Sequence, residues 1–325
     1  MDRIVTRWLE QVEMGEMQRD NGFAVIPLYQ RLASVVTYID LASALEQNAL
    51  AITEVSEGGR VGDLKVVNHG PSPVLVLDGE ELAGAKQNRI VNTTILLKER
   101  SESVIPVSCT EQGRWSYMGR SFHHSPAFAT PRMRRLNQVA VARSLRNEGG
   151  FRADQEQVWA EVSQMAEDSG VNSPTRAMRD IYSARMPELD TLVGNIPVQP
   201  RQCGLLALRG EGVLGFDIVS RSDVYQRLHP RLLRSYLMST SLSAGPAFEG
   251  GAEEFLKSAM HAHETRYTSP GHGEDHRYHS DRLVGSALTF TSETIHAAFF
   301  GVPPGEALPH TGSLRTATQR RRYRM

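Results

Sequence analysis

Apolar positions along the chain follow two different rhythms. Over roughly the first 120 residues they come in short runs separated by turn residues, the pattern of many short strands. The runs at 23–28, 51–57, 64–67, 74–77, 90–97 and 103–109 each read as a strand, and Asn68-His69-Gly70-Pro71 is a turn. In 90–97, alternation places Asn92 and Thr94 on one face and Val91, Thr93 and Ile95 on the other. Asp40 is placed to cap a short helix over 41–47. Ahead of the strands, Ile4, Trp8 and Val12 recur at helical spacing and predict an amphipathic helix over 2–14, docked on its own domain or on a partner chain.

After Ser125-Pro126 the rhythm turns helical. A helix is predicted over 131–146, stopped by Asn147-Glu148-Gly149-Gly150, and a second carries Val158, Val162 and Met165. Ser173-Pro174 reads as a cap followed by proline at the first helical position, opening a third. A hairpin follows over 205–208 and 213–219, then a helix over 222–236 with a kink or break at Pro230, a helix over 253–264, and a last hairpin over 283–290 and 294–300. The fold class is therefore α+β, with a β-rich N-terminal half, sandwich-like or a partly closed sheet, and helices with further hairpins in the C-terminal half. The expected parts are an N-terminal helical extension (1–21), the β-rich half (22–125), an α+β half forming one body with it (126–314), and a basic tail (315–325) with five arginines.

Composition narrows the partners. A chain of 325 residues can bury a sizeable core without metal or disulfide staples, and a net charge of −1 supplies no global attraction to nucleic acid or membrane. No apolar run approaches the ~20 residues that span a bilayer, and Asp2, Arg3, Arg7 and Glu10 interrupt any leader core. Two cysteines far apart, Cys109 and Cys203, fit a reducing compartment. These features predict a soluble, cytoplasmic protein.

The densest chemistry lies between Leu77 and Trp115. Asp78, Glu80 and Glu81 follow an apolar strand, and Lys86-Gln87-Asn88-Arg89 comes within a few residues. So many ionisable groups beside a strand are costly to bury without partners, and such clusters concentrate at sites. Glu80 and Glu81 are the candidate acid/base pair, or ligands of a divalent cation. Lys86 and Arg89 suit phosphate; Gln87, Asn88 and Asn92 suit polar edges; Glu111, Arg114 and Trp115 suit further ligand contact, the indole by stacking. The same residues can equally form an internal network, with the acids paired to Lys86 or Arg89.

The segments Gly79–Leu82, Gly84–Arg89, Asn92–Thr94, Ile105–Cys109, Glu111 and Gly113–Trp115 resemble a bacterial domain family named for its association with ADP-ribosylglycohydrolases and the rhodanese-phosphatase superfamily. The resemblance continues weakly through Val213–Asp217 and Leu283–Leu288, covering most of 22–302. It implies company with NAD- and ADP-ribose-linked enzymes, and hence a nucleotide-like small-molecule ligand, with no defined reaction. A sensor or homo-oligomer-forming module is the alternative.

Other features carry less. Cys109 is a nucleophile only if a cation or histidine lowers its pKa. His261, His263, His272, His276 and His279 cluster in sequence but lack a metal-ligand spacing, and read as a solvated loop in which Gly271-x-Gly273 could close over a ligand. Arg132, Arg135, Arg143 and Arg146 form a helical stripe, more in keeping with a solvated face than with a nucleic-acid surface.

Overall fold

The run Leu205-Leu206-Ala207-Leu208 has no polar alternation, which suits a strand covered on both faces. In the computed structural model, which describes residues 3–210, 212–238 and 251–303, it lies in β13 (Gly204–Arg209) of a nine-stranded sheet. The order is β1 (Val12–Met14), β3 (Phe23–Gln30), β13, β14 (Gly212–Val219), β18 (Glu293–Gly301), β17 (Leu283–Phe290), β16 (Glu274–His279) and β15 (His263–Thr268), with β2 (Gln18–Asp20) also pairing β3. On one face Leu205, Ala207, Ala298 and Phe300 pack with helices α3 (Pro131–Arg146), α4 (Gln155–Ser169), α5 (Met178–Asn195) and α6 (Ser222–Met238). On the other, Leu206, Leu208, Ala297 and Phe299 pack under α1 (Ile4–Leu9) and α7 (Gly251–His261). Period-two alternation thus feeds two separate cores from one strand.

Two smaller sheets complete the α+β fold. One has the order β10 (Ile95–Leu97), β7 (Val74–Val76), β4 (Ile39–Asp40). The other runs β12 (Phe122–Phe128), β8 (Glu80–Gly84), β9 (Arg89–Val91), β11 (Ser101–Cys109), β6 (Asp63–Asn68), β5 (Leu50–Glu54). With α2 (Leu41–Glu46) they enclose a third core that includes Leu41, Ala44, Leu82 and Ile105. The Asp40 carboxylate accepts the Ser43 amide, the expected cap.

Four expectations are corrected. The N-terminal helix stops at Leu9, and Val12 belongs to a strand, because β1 and β2 find ladder partners in β3. The predicted strand over 90–97 is two strands in two sheets; Asn92-Thr93-Thr94 leaves the ladder to bond elsewhere. The third helix begins at Met178 rather than beside Pro174, since the backbone of Thr175 and Met178 is engaged by Gly113 and Thr110. His263 and Glu264 lie in β15, not in the preceding helix, and the histidine-rich stretch forms two paired strands rather than a solvated loop. The tail over 315–325 lies outside the described residues. Among the described residues no helix is long and apolar enough to cross a membrane.

Candidate functional site

Beyond β7 the chain turns sharply at Asp78-Gly79 and re-enters as β8. Gly79 sits at φ +89°, and a Cβ there would meet the aliphatic stem of Arg134 at 2.9 Å, so glycine serves both the turn and the close approach. The turn aims Asp78 inward. Arg134 of α3 donates to both Asp78 oxygens (2.9 and 3.2 Å) and forks onto Asp217 of β14 (2.7 and 2.7 Å). Tyr236 also donates to Asp217, while His296 bridges Asp217 and Thr94. Burial alone would raise both carboxyl pKa values, but the guanidinium overrides it and holds both below the ordinary range. The ring faces of Phe128 and Phe300 close over Arg134.

Glu80 and Glu81 occupy successive positions of β8 and go to different partners. Glu80 is 0 % exposed; it accepts the Leu77 amide at 2.8 Å and pairs with Arg231 of α6, which also donates to His124. Burial raises its pKa against the pull of Arg231. Burial, and then the same cation, bring His124 down to about 4, leaving it neutral and able to accept. Glu81, equally sealed, accepts from the hydroxyls of Thr110 (2.8 Å) and Ser125 (2.6 Å), and burial lifts it to about 7 against these bonds and the charge of Arg179. Asp78 and Glu80 therefore pair with arginines of α3 and α6, not with Lys86 or Arg89 as the internal-network reading expects, and Glu81 bonds to hydroxyls.

The far end of the motif is shallower. Lys86 caps the carbonyls of Glu57 and Gly58, both at 2.7 Å, and lies against the rings of Trp115 (5.2 Å) and Tyr117 (4.9 Å). Arg114 is fully engaged by Glu111 (2.6 and 2.8 Å) and by the carbonyls of Ala85 and Ser116. Glu111 also takes Thr175 and the Asn88 amide; burial acts against its charge, yet these donors keep its pKa low. The Asn88 side chain accepts the Gly84 amide, and Asn92 bridges Ser108 and the Phe151 carbonyl. Gln87 gives its amide to the Glu111 carbonyl and accepts from Arg89 Nη1 and the Cys109 thiol.

Arg89 is the exception in this network. It is 0 % exposed, its Nη1 reaches Gln87 and the Asn88 carbonyl, and its Nε and Nη2 have no acceptor. Burial lowers its pKa, partly offset by Cys109 and Glu54, whose own Oε2 is buried without a partner. The guanidinium carbon lies 5.8 Å from the Trp115 ring centroid, and Trp115 is 48 % exposed. A half-exposed indole thus lies against an under-bonded buried cation. Cys109 is buried beside Arg89, yet desolvation pushes its thiol up to about 11, so it stays protonated at neutral pH.

Of the residues singled out by sequence, Lys86, Gln87, Asn88, Arg89, Glu111, Arg114 and Trp115 do meet in space, while Glu80 and Glu81 face other partners and Asn92 joins Ser108. Glu54, Arg134, Asp217, Arg231 and His296 are missed; each belongs to a segment that reads as ordinary helix or strand. Among the described residues no group of three or more His, Cys, Asp or Glu side chains is placed to hold a metal ion. The loop at Gly271–Gly273 is pinned to β10 through His272 N and Leu96 O at 2.7 Å. In the arginine stripe of α3, Arg135 is buried, whereas Arg132, Arg143 and Arg146 are exposed.

No curated protein and no solved structure gives a significant match to the chain. A family model does, over residues 11–300. With the motif, its buried partners and nearly the whole described fold inside that span, the chain belongs to the ARG and Rhodanese-Phosphatase-superfamily-associated Protein domain family.

Proposed function

We propose that this cytoplasmic protein binds a phosphorylated nucleotide, of which ADP-ribose and other NAD-derived metabolites are the leading class, at the Lys86–Arg89–Trp115 end of its motif. One observation carries the reading: Arg89 is wholly buried, two of its nitrogens lack acceptors, and a half-exposed indole lies against it. A buried, under-bonded guanidinium is costly, and a phosphate oxygen is the acceptor its fork suits. Trp115 and Tyr117 offer ring faces for a base, reached when the indole moves aside. The substrate class itself rests on the family's name, and the reading assigns binding rather than turnover, because Glu80 and Glu81 are sealed and Cys109 is protonated.

The second reading, a non-catalytic module in which the motif is a structural network, is favoured by the ion pairs of Asp78 and Glu80 with Arg134 and Arg231. The two readings divide at Trp115. Thermal-shift titration with ADP-ribose, NAD and AMP, with and without magnesium, is expected to raise the melting temperature with the logarithm of concentration. Trp115→Ala, at an exposed ring, is expected to fold and to lose that shift. No shift for any of the three compounds would overturn the binding reading and leave the network.

A further inference from the structure

Ile4, Arg7, Trp8 and Gln11 recur at the i, i+3, i+4, i+7 spacing that puts side chains on one side of a helix. They belong to α1 and the turn that continues it, where the Gln11 amide bonds the Trp8 carbonyl, and all four line a cavity of about 400 Å³. The opposite wall is the loop after β3, with Leu32 and Ser34, and the turn from β17 into β18, with Glu293. Arg7 and Glu293 are the two charged residues of the lining, and no ion pair joins them. Arg7 is exposed, and its guanidinium has no hydrogen bond or ion pair among the described residues. Glu293 is half-buried, and its oxygens accept the Ser34 hydroxyl and the Val35 amide (3.2 Å). These two bonds fix the carboxylate on the Ser34 side and leave it further accepting capacity. Apolar surface accompanies the charges: Ile4 and Trp8 are partly exposed, and Leu32 is 68 % exposed.

We infer that this cavity is a binding site for a free amino acid with an apolar side chain. Arg7 donates to the α-carboxylate, Glu293 accepts from the α-ammonium group, and the side chain lies against Trp8 and Leu32. A cation and an anion that share one cavity without meeting are complementary to a zwitterion at both of its ends. A plain carboxylic acid would meet the repulsion of Glu293, and a plain amine that of Arg7, so the same pair selects against both. The volume lies within the range of roughly 300–1,000 Å³ in which small-molecule pockets fall. Ile4, Arg7 and Trp8 precede the span matched by the family, which starts at residue 11, so the site depends on the N-terminal helix as well as on the shared domain. None of the residues proposed to hold the nucleotide lines it.

Calorimetry and thermal shift on the full chain test the assignment with L-leucine, L-phenylalanine and two capped forms, N-acetyl-L-phenylalanine and L-phenylalaninamide. The better of the two free amino acids is expected to bind with a Kd of about 1 mM or tighter, and at roughly 10 mM to raise the melting temperature by about 2 °C. Removing the ammonium charge by acetylation, or the carboxylate charge by amidation, is expected to weaken binding of phenylalanine at least ~10-fold. Arg7→Gln, at an exposed position without side-chain bonds, is expected to fold as the natural protein does and to bring phenylalanine down to the level of its amide. Trp115→Ala leaves amino-acid binding unchanged, which separates this site from the nucleotide site. No binding of either amino acid, a capped form that binds as tightly as the free one, or an unchanged affinity in Arg7→Gln would overturn the inference.

Discussion

Glu81 is a buried carboxyl group hydrogen-bonded by hydroxyls, with Arg179 acting on it only through its charge. Its neighbours are the hydroxyls of Thr110 and Ser125, and burial lifts its pKa from 4.5 to about 7. In the unfolded chain it returns to its ordinary value, so between pH 4.5 and 7 the folded state binds more protons than the unfolded state. Stability from this group is therefore fully present below pH 4.5 and is lost as pH rises through about 7. The rise from 4.5 to about 7, at ~1.36 kcal/mol per pH unit, amounts to roughly 3 kcal/mol in full, most of it lost between pH 5 and 8. Glu81→Gln keeps the shape, cannot ionise, and bonds to hydroxyls that can accept as well as donate. Urea unfolding of the natural protein and of Glu81→Gln at pH 5, 6, 7 and 8 isolates the effect, since every other titrating group is shared. The variant is expected to gain roughly 2–3 kcal/mol on the natural protein from pH 5 to pH 8. A difference that stays flat across that range would refute a carboxyl held protonated by burial, and with it the sealed character of this half of the motif.

Two further perturbations address the motif from other sides. Arg134→Met leaves Asp78 and Asp217 buried without their cation, and is expected to cost about 3–5 kcal/mol at pH 7. That deficit should shrink below pH ~4, where the unfolded carboxyls also protonate, and a deficit independent of pH in urea unfolding would show that lost packing, not charge, is responsible. Cys109→Ser is expected to preserve nucleotide binding in the thermal-shift assay and any hydrolysis found by product analysis, since the thiol is protonated at neutral pH; loss of hydrolysis with the fold intact would restore a nucleophilic role to it.

The helices and most strands were legible because their apolar spacing and caps agree with the fold, as at Asp40 and over α3. What the spacing concealed is buried charge. Strand β16 carries Asp275, His276 and Arg277 in its interior, each bonded to a neighbour, and a hydropathy pattern reads such residues as solvated. Arg134 is hidden for the same reason, on a helix whose other arginines are partly on the surface. The Asn92-Thr93-Thr94 break was invisible because its polar groups serve distant partners, the Phe151 carbonyl, Asp275 and His296, which no local pattern names. The motif was legible as a cluster. Which members close on one another depended on α3 and α6, about 50 and 150 positions further along the chain.

Asp78, Arg134 and Asp217 come from a turn, a helix and a strand that are remote in sequence. A crossover between genes at any point from codon 78 to codon 217 would reunite one member of this triad with a stranger's partners, and an ion stranded in oil would follow wherever those partners differ. The span from 78 to 217 is therefore expected to be inherited as one block wherever the other gene lacks any of these three residues.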